Sequence, residues 1–157
     1  MAKTPDAFRQ LKAIHLALLG LVTTVTIAAI ILAEKGIGAI KDESLDRILQ
    51  AVFVLIAVVS VITGFNLFRK KIMEIRTSKA AGVEKMMQYR TACILWWAMI
   101  EGPCIFAAIG LMITGNFAFL ALALFLLAAL AVFSPRKQNI ILLLNLNSAE
   151  VQMLEGK

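Results

Sequence analysis

The chain has 157 residues, 61% of them hydrophobic, with a mean hydropathy of +0.86 and a formal net charge of +6. A soluble domain of this size carries roughly 45–50% apolar residues, so the composition excludes an ordinary soluble protein and points to one integral membrane unit. The positive charge would suit a nucleic-acid partner, but its placement along the chain argues against one.

The first apolar segment covers residues 13–33 and follows Lys3, Arg9 and Lys12. Its length exceeds a signal-peptide core, and "ILAEKG" lacks a small-residue cleavage site, so a retained helix is expected. The second segment covers residues 48–68 and the third residues 91–114. Each of these three exceeds the roughly 20 residues that cross a hydrocarbon core of about 30 Å. The fourth, residues 117–133, sits at the lower limit and is stopped by Ser134-Pro135. The turn "TGN" (114–116) makes segments 3 and 4 antiparallel neighbours.

Between segments 2 and 3, residues 69–90 are good helix formers split by Gly82. They predict a cytoplasmic helical stem in which both helices run on and meet near Gly82. In the tail, residues 134–157, "IILLL" is too short to cross. Asn147 with Glu150 three residues on signals a helix start. A strand or turn followed by a helix is expected there, lying on the membrane or the stem, or docking on another subunit.

Orientation follows from Lys and Arg. Thirteen of the sixteen flank one side: Lys3, Arg9, Lys12, the seven of residues 69–90, Arg136, Lys137 and Lys157. Only Lys35, Lys41 and Arg47 fall on the other. Both termini are therefore assigned to the cytoplasm, and Arg69, Lys70, Lys71, Arg90, Arg136 and Lys137 to the membrane surface. The basicity is a topology signal, and no nucleic-acid partner is expected.

One charge breaks the pattern. Glu101 lies in "AMIEGPCIF", eleven residues from Arg90, which on a helix is about 16 Å. By the same ruler Thr23 and Thr24 lie about 16–18 Å above Lys12, and Ser60 about 13 Å above Arg69. These hydroxyls share the acid's depth; no cation does. Pro103 removes the donor for the Met99 carbonyl, which places a second polar group nearby. Ala98 and Gly102 form a small-xxx-small pair through which another helix could approach closely. Three roles compete for Glu101: protonated glue between helices, contact with a donor on another polypeptide, or a proton or cation site. The sole histidine, His15, has no histidine partner for haem. Cys93 and Cys104, eleven residues apart on one helix, cannot form a disulfide and make no metal site. No catalytic motif is present, and no enzyme activity, cofactor or metal is expected.

Residues 96–116, "WWAMIEGPCIFAAIGLMITGN", locally resemble the carboxylate helix of rotary-ATPase proteolipids. The glycine-rich first helix of those hairpins has no counterpart here. Small multidrug-resistance transporters also use one membrane glutamate among four helices, but in their first helix. The order Tyr89-Arg90, Glu101-Gly102-Pro103, Thr114-Gly115-Asn116, Pro135-Arg136-Lys137 is similar to that of uncharacterised small bacterial four-helix inner-membrane proteins. That resemblance implies a fold and no activity. The expectation is an all-α, integral-membrane four-helix bundle of two antiparallel hairpins, acting by association as a homo-oligomer or an accessory subunit. The alternative is a small proton- or cation-coupled transporter or channel that titrates Glu101.

Overall fold

The computed structural model of the protein describes residues 7–36 and 42–154. Lys3, Lys41 and Lys157, used above for orientation, lie outside the described residues. The helices are α1 (Ala7–Glu34), α2 (Glu43–Thr77), α3 (Gly82–Thr114), α4 (Phe117–Val132), α5 (Lys137–Leu144) and α6 (Ser148–Leu154), with no strand among the described residues. The first three are each long and apolar enough to cross a membrane. A fourth span arises only when α4 and α5, bent by 71°, are taken together. The sixteen residues of α4 rise about 24 Å, short of the core thickness.

The seam of α1 is a heptad. Phe8, Leu11, His15, Leu18, Val22, Val25 and Ala29 alternate spacings of three and four, and all are buried or partly buried. That spacing keeps one stripe facing a partner helix along the whole length. The partner is α3, the centre of the molecule: 56% of its apolar window is buried, against 17% for α1 and 11% for α2.

Here the structure departs from two hairpins. α3 takes α1, α2 and α4 on its buried half, while α1 and α2 share no substantial contact surface with each other. The reason lies in adjacent bulky residues. Trp97 meets the His15 ring of α1 at 4.7 Å. Trp96 instead faces α2, with Phe65 at 5.8 Å and Phe68 at 6.3 Å. Neighbouring residues on a helix point about 100° apart, so the two indoles are received by separate helices. On the α2 side a Cβ at Gly64 would lie 2.7 Å from Met99 Cβ, so glycine is what lets α2 come this close.

The ends are capped by side chains. Asp42 accepts the Ser44 and Leu45 amides at 2.9 and 3.3 Å, and the Ser44 hydroxyl, which together hold its carboxyl below the usual carboxylate range. Gly115, at φ +69°, ends α3. Asn116 then caps α4 through the Ala118 amide and donates to Asp46 at 2.6 Å, joining the start of α2 to the α3–α4 turn.

The tail corrects another expectation. Residues 137–144 form a helix rather than a strand or turn, because Pro135 stops α4 and Asn145, at φ +51°, stops α5. Ile140, Leu144, Leu146 and Leu154 are buried in the main core, so the apolar ribbon folds back on its own chain. α6 lies on α3, where Glu150 covers Gly82.

Candidate functional site

Glu101 is buried, at 8% exposure, on the α3 stripe that also holds Trp97 and Cys104. That stripe faces α1: His15 packs on Trp97, and Thr26 is the neighbour of the Cys104 thiol. Cys104 donates to the Ala123 carbonyl of α4 at 3.2 Å. Among the described residues no hydrogen bond or ion pair reaches the Glu101 carboxyl.

The expected ligands do not assemble around it. Thr23 donates to the Leu19 carbonyl at 2.7 Å and Thr24 to the Gly20 carbonyl at 2.9 Å, so both hydroxyls close back on their own helix. Thr24 is also exposed. Ser60 sits on α2, the helix that packs against Trp96 and Met99; Met99 is two residues, or about 200°, from Glu101. Ser60 and the acid therefore lie on different sides of α3. Depth alone placed these groups together, and azimuth separates them.

The threonine that turns toward α3 is Thr26, buried and donating to Val22 at 2.9 Å. Its signal was the α1 heptad, since it stands one turn beyond the seam residue Val22. His15 was set aside for lack of a second histidine, yet it is 1% exposed and neither ring nitrogen has a hydrogen-bond partner among the described residues.

The packing residues divide. Pro103 is buried inside α3 without ending the helix. Ala98 is exposed, and a Cβ at Gly102 would meet nothing within 4 Å. No helix among the described residues covers Ala98 or Gly102. They belong to the more open half of α3, with Ile94 and Ile109, while Phe106 at its margin meets Phe53 of α2 at 6.2 Å.

The surface cations are spread over several helices. Arg69 and Lys70 line an open hollow along α2 with Glu74. Lys71 pairs with Glu74 at 2.7 Å. Arg90 borders a hollow on α3 with Glu84. Arg136 and Lys137 share a cleft with the start of α1. Among the described residues no three His, Cys, Asp or Glu side chains converge as a metal site would need. Comparison with protein-family models, with curated proteins and with solved structures returns no significant match.

Proposed function

We propose that this chain is a multi-pass protein of the bacterial inner membrane that catalyses nothing and works by association, as a homo-oligomer or as an accessory subunit of a larger membrane complex. The observation that carries the reading is the open half of α3. The most enclosed of the described helices leaves Ala98 exposed and room for a Cβ at Gly102, beside a buried Glu101 with no partner among the described residues. Small residues let a second backbone approach, and a donor on that helix would satisfy the acid. The Lys and Arg distribution supports both termini facing the cytoplasm.

Native mass spectrometry after gentle extraction from the source membrane tests this, paired with cysteine cross-linking from Ala98→Cys. Cys93 and Cys104 are buried, so the introduced thiol is the accessible one. A defined oligomer or companion, with a cross-link at position 98, is expected. A lone monomer with no cross-link defeats the reading.

A second reading rests on the same carboxyl. A buried membrane acid with no partner among the described residues suits a small proton- or cation-coupled transporter or channel. Glu101→Gln separates the two. In a transporter it abolishes flux in reconstituted vesicles and leaves assembly intact. In an associating subunit it shifts assembly, and the wild type carries no flux to lose.

A further inference from the structure

The corner where α1 begins and α4 gives way to α5 holds a cleft of about 380 Å³, within the roughly 300–1,000 Å³ of small-ligand sites. Arg9 and Lys12 enter it from the first turns of α1, Arg136 and Lys137 from the α4–α5 corner. Two segments far apart in sequence thus deliver four cations to one hollow, with no carboxylate among its described lining residues. Its apolar side is Phe8 and the partly exposed Pro135, backed by the buried Ile140. Lys137 Nζ stands 5.8 Å from the Phe8 ring centre, which ties the two segments together. α5 also starts here without a side-chain cap, so the positive end of its dipole adds to the field.

The level of the cleft is set by its walls. Lys12 directly precedes the apolar stretch of α1, and Ser134-Pro135 directly follows that of α4. A membrane crossed by α1 therefore puts the Lys12 end of the hollow at the edge of the hydrocarbon, where phospholipid phosphates lie.

We propose that this cleft binds the phosphate of an anionic phospholipid, with Lys12 and Arg136 at the headgroup and the adjoining glycerol and first chain carbons against Phe8 and Pro135. A cationic hollow alone would serve any phosphate; the apolar wall beside it favours a lipid. Arg9 and Lys137 engage further groups as well, so the exposed Lys12 and Arg136 carry the test.

The experiment places the full chain in phosphatidylcholine nanodiscs doped with phosphatidylglycerol and reads retained lipid by native mass spectrometry. The wild type should keep phosphatidylglycerol in preference to phosphatidylcholine. Lys12→Gln with Arg136→Gln should cut that retention about thirtyfold, from two cations each acting with the usual strength of a basic side chain at an anionic leaflet. Lys12→Gln alone should cut it about fivefold and guards against a misfolded double variant. Arg69→Gln with Lys70→Gln removes the same charge from α2 and should change retention less than about threefold. Equal losses in the two double variants would overturn the proposal, since diffuse charge would then be enough. So would equal retention of the two lipids. A third contrary result is inorganic phosphate binding the wild type, but not the Lys12/Arg136 variant, with no lipid preference; the cleft would then hold a free anion.

Discussion

A methyl group added at Gly64 would sit 2.7 Å from Met99 Cβ and 2.9 Å from the Trp96 ring. Neither neighbour is a free side-chain end, so α2 must move outward. Gly64→Ala should therefore destabilise the fold by about 1–3 kcal/mol, read as a lower melting temperature in detergent; an unchanged melt would mean the α2–α3 contact is looser than described. His15 gives the opposite expectation. Its ring is enclosed against Trp97 with both nitrogens unpartnered. His15→Leu should stabilise by about 1–3 kcal/mol by removing those polar atoms from the core, and a clear loss of stability would reveal a partner the imidazole needs. At this scale the sequence singled out Glu101 because a carboxylate in an apolar run is conspicuous, and the structure buries it. It could not supply the acid's surroundings. Depth is counted along one helix, while direction depends on neighbours, and the hydroxyls chosen by depth bond their own backbone instead.

Helix ends were the most legible elements, because caps are local chemistry. Asn147 and Glu150 exchange amide hydrogen bonds at 2.9 Å in each direction, the reciprocal box expected from "NSAE". Asn147→Ala should cost about 1 kcal/mol and speed amide exchange in α6 about fivefold; unaltered exchange would mean that α6 is held by its packing on α3 alone. The α4–α5 bend was partly legible. Pro135 announced the stop, but the helical state of residues 137–144 depends on Ile140 and Leu144 finding the core, a tertiary matter. The α1 heptad was present in the letters yet masked, since lipid-facing positions such as Leu16, Leu21 and Ile27 are as apolar as the seam. In membranes hydropathy reports the span and says little about the face.

For the molecule as a whole, three of the four expected spans followed from length and composition, the fourth needs α5 as well, and the arrangement did not follow. Chain order suggests that α1 pairs with α2, and the two tryptophans of α3 part them instead. Orientation has its own test. Single cysteines replacing Lys79, between α2 and α3, and Arg47, near the start of α2, should differ in labelling by an impermeant thiol reagent. In intact inner-membrane vesicles of known sidedness, position 79 should react from the cytoplasmic face and position 47 from the other. The reverse pattern would overturn the assignment made from Lys and Arg. The buried Cys93 and Cys104 keep the background low.

The central place of α3 also bears on biogenesis. α1 and α2 are made before α3 and share no substantial contact surface with each other. Each must rest in lipid without the other, which a mean hydropathy of 2.5 over an 18-residue window permits. α3, at 1.7 and carrying Glu101, is the poorest candidate for unaided insertion. It follows both in the chain, so α1 and α2 are already made when the acid-bearing segment arrives, and α4 completes its shelter afterwards.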